Sequence, residues 1–261
     1  MGFARRLEHS LAAASRDLPG RLGFAAWDLR ERVPVLSGAD REVHPASTIK
    51  VLVMISALQQ VHIGRSTLGE SVPIPVERAG GSGVLRELSG VDRLALRDLI
   101  ALMIVISDNA ATNAVIDAVG FPAIARCAAE LGCTSTRVER RLMDVHAPGR
   151  NATSAHDQAR ILDRLATGRA LPPELTEHAL RVLSRQQVRD RLPALLPEGA
   201  RCWNKTGEIA HARHDVALIG DHRPRAVVAV LVDELGDERA AHRLACDRIA
   251  ELGLRVFRAL D

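Results

Sequence analysis

The sequence predicts an α+β fold: one five-stranded antiparallel sheet built from both ends of the chain, flanked by helices, with an all-helical segment inserted between those ends. Three observations carry that prediction. Strand-like runs fall near the ends, at 22–36 and 201–232; the stretch 46–189 repeats its apolar residues at helical spacing; and 237–259 closes the chain with an amphipathic helical pattern. The chain is accordingly expected to form two domains, residues 1–45 plus 190–261 as an α/β unit and 46–189 as an all-helical one, with a ligand cleft between them.

Leu7, Leu11 and Ala14 recur at helical spacing, so 4–16 is expected as a helix that Pro19-Gly20 closes. Residues 22–29, with Phe24, Ala26 and Trp27, read as a strand, and 33–36 as its hairpin partner across Arg30-Glu31-Arg32. After a loop from 37 to 45, residues 47–61 are apolar nearly all round, which requires a buried helix. The Pro and Gly content of 71–90 reads as loop. Residues 92–106 read as a helix, broken at 107–109 before another that Gly120 stops. Helices follow at 122–131, 154–165 and 173–189, and strands return at 201–206, 215–219 and 226–232.

A chain of 261 residues with 47% hydrophobic and 26% charged residues matches globular averages and excludes disordered and fibrous classes. Its longest apolar runs, 99–106 and 226–232, are far shorter than the roughly 18 residues of a membrane span, so no membrane partner is expected. With scattered charges, a net charge of +3 and only six aromatic residues, the chain offers no nucleic-acid footprint. Cys127, Cys133, Cys202 and Cys246 lack CxxC spacing and are expected as free thiols; His211, His214 and Asp215 make only a weak metal pattern. The first 20 residues lack the apolar core of a signal peptide, which points to the cytoplasm for the sequence as written, or to secretion or the periplasm if a leader has been removed.

Of the 35 basic side chains 33 are arginine, and Lys50 and Lys205 are the two lysines. A desolvated ammonium can give up a proton that a guanidinium keeps, so both lysines are candidates for chemistry. Ser47 opens the buried helix, with its oxygen near the positive end of the helix dipole and its backbone N–H available to an oxyanion; Lys50, three residues on, shares its face. Ser107-Asp108-Asn109 interrupts an apolar helical region and offers a hydroxyl and an amide to a cleft, although these residues also suit a helix cap. Lys205-Thr206-Gly207 ends an expected strand with a cation, a hydroxyl and room for substrate backbone. Singly, each motif is common by chance.

In this order, and using both lysines, the motifs SxxK, SDN and KTG make the sequence resemble the class A β-lactamases and their penicillin-binding relatives from about residue 22 to 257. The resemblance implies an α/β/α sandwich, serine acyl-enzyme chemistry, and no cofactor or metal. It implies Ser47 as nucleophile, Lys50 as its base or proton relay, Ser107 as proton donor to the leaving nitrogen, and Asn109 as a binder of the substrate amide. Lys205 and Thr206 would contact a substrate carboxylate or polarise Ser107, and the backbone N–H groups of Ser47 and Glu208, beside Gly207, would form the oxyanion hole.

Two departures qualify the resemblance. Glu139 and Leu142 fit the loop that carries the deacylating glutamate in class A enzymes, but Met143 replaces the amide that helps to hold the water, and Asn151 replaces an aspartate that clamps the loop to the arginine matched by Arg137. Glu139 is therefore either the deacylating base or a solvated surface acid. Glu208 brings a negative charge close to the substrate carboxylate, and Arg213 is expected to offset it. The expected function is a serine acyl-enzyme hydrolase acting on a small amide, ester or β-lactam. Alternatives are a transacylase that passes the acyl group to an amine acceptor, and a D-Ala-D-Ala carboxypeptidase-like enzyme.

Overall fold

A computed structural model describes residues 2–14 and 18–261. In chain order its elements are α1 (Phe3–Ala14), β1 (Arg21–Asp28), β2 (Val35–Ser37), α2 (Lys50–His62), β3 (Ser71–Pro73), β4 (Arg93–Ala95), α3 (Leu96–Val105), α4 (Asn109–Val119), α5 (Phe121–Glu130), α6 (Ala155–Ala166), α7 (Pro173–Leu183), β5 (Arg201–Ile209), β6 (Ala212–Gly220), β7 (Pro224–Asp233) and α8 (Arg239–Arg258). Residues 15 and 16 of the helix expected over 4–16 lie outside the described residues.

The five-stranded sheet has the order β2-β1-β7-β6-β5, and every neighbouring pair is antiparallel. Side chains alternate across it. Phe24, Ala26, Val228 and Val230 join the core that holds Phe3 and Leu7 of α1 and Ile249 and Leu252 of α8. Ala25, Trp27, Ala229 and Leu231 face the other way, into the core shared with α2 to α7. Because both faces are covered, β1 and β7 read as continuous apolar runs and not as the in-out alternation of a half-solvated sheet.

The second core is organised by α2, which packs against each of the helices from α3 to α7. Every side chain from Lys50 to Leu58 is buried, which explains why this helix is apolar all round. Each of its Leu, Ile, Val and Met side chains contributes roughly 1.5–3 kcal/mol on burial.

Local expectations fail where distant residues capture the backbone. Residues 93–95, expected as helix, pair as β4 with β3, which lies in a stretch expected as loop. The helix expected to reach 189 stops at Leu183 because the chain beyond it caps α3: Gln186 Nε2 donates to Ile104 O at 2.7 Å and Gln187 N to Val105 O at 3.0 Å. Strand β5 runs on to Ile209, paired with Ala212, so Lys205-Thr206-Gly207 lies within a strand and not at its end.

Candidate active site

Ser47 lies on a 3-10 turn, Ala46–Ile49, that leads directly into α2. Pro45 O anchors this turn by accepting from Thr48 N at 3.1 Å and from Thr48 Oγ1 at 2.7 Å. The partly exposed Ser47 lines a cavity of about 710 Å³, together with Ser107, Asn109, Thr206, Gly207 and Glu208. Gly207 permits this closeness: a Cβ there would stand 3.0 Å from Ser47 N and 3.1 Å from Pro45 O. β5 is the edge strand, so the sheet ends against the Ser47 turn.

The break between α3 and α4 supplies the opposite wall. Asp108 caps α4 through Ala111 N at 2.8 Å, and its second carboxylate oxygen holds Val84 N and Leu85 N at 2.7 and 2.9 Å. Ser107 is thereby kept at φ 59°, a left-handed conformation that costs a non-glycine residue of order 1–3 kcal/mol. Its hydroxyl receives Lys50 Nζ at 3.0 Å and Lys205 Nζ at 3.1 Å. Both lone pairs of the oxygen are then in use, which leaves its own proton to donate into the cavity.

Lys50 is fully buried, and its amine also donates to Ser107 O and Asn109 Oδ1, each at 2.7 Å. The expected hydrogen bond from Lys50 to Ser47 is not among its contacts within the described residues. An ammonium has three donors, and these three contacts use all of them. Burial, then the neighbouring Lys205 charge, hold the Lys50 amine well below the usual lysine range. Loss of one proton leaves two donors for the two carbonyl-type oxygens and a lone pair toward Ser107 Oγ. Lys205, also fully buried, donates to Thr206 O at 2.7 Å, and desolvation lowers it to about 7. Its amine faces Ser107 and is not part of the cavity wall.

The loop at 137–151 departs from expectation. Asn151 Oδ1 accepts from Glu139 N at 3.0 Å and Arg140 N at 3.2 Å, and Arg150 N donates to Glu139 Oε2 at 2.8 Å. This pairing turns the Glu139 carboxylate outward, exposed and near Arg137; the loop residues lining the cavity are Arg140 to Val145 and Asn151. Glu139 therefore stands at the surface, outside the cavity lining. Arg137 is clamped by Glu42, through two contacts of 2.7 Å, and not from position 151. Asn113, which the sequence reading passed over, fixes the loop reciprocally: it accepts from Leu142 N at 2.8 Å and donates to Leu142 O at 3.1 Å.

The carboxylate of Glu208 is in contact with a guanidinium other than that of Arg213. It pairs with Arg191, a guanidinium 1% exposed that also donates to His214 O at 3.2 Å and Gly207 O at 3.5 Å. Arg213, expected in that role, lines the cavity and bonds elsewhere. His214 is buried, donating to His44 O and accepting from Val232 N, and burial lowers its pKa to about 4. Among the described residues no group of three His, Cys, Asp or Glu side chains is placed to hold a metal ion, and no helix is long and apolar enough to cross a membrane.

The sequence matches the model of the Beta-lactamase enzyme family over residues 5–258. This chain belongs to that family. A β-lactamase of Proteus vulgaris is 24% identical over 242 residues, 89% of this chain and 81% of its own. The structure of PBP-A superposes with a TM-score of 0.88 at 26% identity, covering 99% of this chain and 97% of that one, and a mutant of PBP-A is solved as an acyl-enzyme complex with penicillin G. The β-lactamase of Sphaerobacter thermophilus gives a TM-score of 0.84 at 30% identity, covering 96% of each chain. The enzyme is a serine hydrolase with the class A β-lactamase fold, and these relatives do not favour the transacylase or carboxypeptidase-like alternatives.

One titration in this β-lactamase-family enzyme has a direct readout. Burial raises the Asp215 carboxyl from 3.8 to about 7, against the lowering effect of Asn204, which donates to it at 3.1 Å. The folded state therefore keeps a proton that the unfolded chain releases, and stability is lost as pH rises from about 4 to 7. Asp215→Asn removes that loss, and the new amide can donate to Asn204 Oδ1, which is buried without a partner. Its melting temperature is expected to gain on wild type between pH 5 and pH 8; a constant gap across that range refutes the assignment.

Proposed function

We propose that the enzyme hydrolyses β-lactams and related small amides through an acyl-enzyme on Ser47. Ser47 Oγ attacks the carbonyl while its proton passes by way of Ser107 Oγ to the neutral Lys50 amine, whose lone pair faces that hydroxyl. Ser47 N and Glu208 N hold the oxyanion, which Gly207 permits by admitting β5 to the Ser47 turn. Lys50 then returns a proton through Ser107 Oγ to the leaving nitrogen. Asn109 Oδ1 is occupied by Lys50 and its Nδ2 donates to Gly80 O at 2.9 Å, which leaves one N–H for the substrate amide carbonyl. Thr206 Oγ1 and Arg213 receive a substrate carboxylate. Water repeats the attack in the second half-reaction, with the Lys50–Ser107 pair as base and Glu139 taking no part.

The observation that carries this mechanism is the meeting of both lysines of the chain on the Ser107 hydroxyl, at 3.0 and 3.1 Å, in the wall of the cavity that Ser47 lines. The acyl-enzyme of penicillin G seen in a PBP-A mutant supports the substrate class. A chromogenic cephalosporin is expected to be opened, with a transient adduct on Ser47 visible by intact mass and absent in Ser47→Ala. Glu139→Gln is expected to turn over within about twofold of wild type, since its carboxylate touches no reacting atom. Release of the chromophore without any adduct on the protein rejects the covalent route, and a collapse of turnover in Glu139→Gln rejects the deacylation step.

A further inference from the structure

Glu208 and Arg213 are direct cross-strand partners on β5 and β6, where opposite charges ordinarily pair. They do not pair here. Arg191 takes the Glu208 carboxylate from the protein interior, and His242 of α8 takes the Arg213 guanidinium. Arg213 Nη2 lies 2.7 Å from His242 Nδ1, and its Nη1 donates to Ile209 O and Ala212 O, each at 2.8 Å. A guanidinium only donates, so Nδ1 must accept. The imidazole is then neutral with its proton on Nε2, which donates to Gly236 O at 2.6 Å.

Three of the five Arg213 N–H groups are spent on these contacts. Among the described residues, Nε–H and one Nη2–H have no partner, and Arg213 and His242 both line the cavity beside Thr206. Two adjacent guanidinium donors match the two oxygens of a carboxylate. Cut loose from His242, the same guanidinium has the Glu208 carboxylate directly opposite it across the strand pair.

We infer that His242 is a positioning residue that holds Arg213 apart from Glu208 and keeps its unpartnered N–H groups open to the substrate carboxylate. This assignment rests on the acyl-enzyme mechanism above and adds to it a determinant of specificity outside the three motifs.

The test compares a chromogenic cephalosporin carrying a free carboxylate with its methyl ester, in wild type, His242→Leu, His242→Asn and Arg213→Gln. His242→Leu is expected to raise KM for the acid about tenfold, with kcat and the ester kinetics within about twofold of wild type. His242→Asn, whose Oδ1 accepts in place of Nδ1, is expected to restore KM for the acid to within about threefold. Arg213→Gln is expected to raise KM for the acid about 30-fold, and His242→Leu to add nothing further in that background. Equal losses on acid and ester, or no loss on either, overturn the assignment while leaving the acyl-enzyme mechanism standing. A wild-type chain that is acylated by neither compound overturns the mechanism and the assignment together.

Discussion

Lys50→Arg is expected to slow acylation of Ser47 by about 10³-fold or more, the scale of a lost general base. The cause is protonation and not the loss of a basic side chain. Desolvation and Lys205 push the Lys50 amine toward its neutral form, whereas a guanidinium keeps its proton and offers no lone pair to Ser47 or Ser107. The larger side chain overfills a site with no exposed surface, at a cost of about 1–3 kcal/mol, so the melting temperature drops by several degrees while the fold persists. The rate of adduct formation by intact mass, with circular dichroism as the control for folding, checks this. A folded arginine variant that acylates at the wild-type rate removes the case for Lys50 as base.

The largest expected loss of stability is that of Arg191→Met, about 3–5 kcal/mol, because it takes the donor from two carbonyls inside the molecule, each costing about 1–3 kcal/mol when left unsatisfied. Arg191 touches the Glu208 carboxylate, Asp190 at 3.5 Å, two backbone carbonyls and Cys246 Sγ at 3.4 Å, so its removal leaves several polar atoms without their partner. The melting temperature is expected to fall by about 10 °C. Glu208→Gln is expected to cost much less, because that carboxylate is 56% exposed and regains water. Thermal melts of the two single variants and the double variant measure the coupling; an Arg191 variant as stable as wild type contradicts the account of this network.

The parts of the fold legible in the sequence were those that local pattern dictates. The apolar surface all round 47–61 required burial in the middle of the molecule, and α2 is there. The apolar runs of β1 and β7 gave a sheet from both ends, and the pairing Arg21↔Asp233 to Asp28↔Ala226 joins those ends directly. The β3-β4 hairpin was illegible because three residues on each side form strands only by meeting. In the site, Ser47, Ser107, Asn109, Thr206 and Gly207 line one cavity, and Lys50 and Lys205 stand behind that lining on the Ser107 hydroxyl. The orientation of Glu139 was illegible because spacing fixes where a residue stands in a loop and not which way the loop turns it; Asn151 and Arg150 decide that. Arg191 and His242 carried no signal, being one of 33 arginines and one of ten histidines.

The pairing of β1 with β7 sets a condition on biosynthesis. As the chain leaves the ribosome, the β1-β2 hairpin must wait for roughly 190 further residues before its inner edge finds a partner. Through that interval an apolar strand offers unsatisfied hydrogen-bonding groups to any other nascent chain. The cleft gains its sheet-side wall only when β5 docks against the Ser47 turn, so a polypeptide cut short before β7 has neither a continuous five-stranded sheet nor a hydrolase.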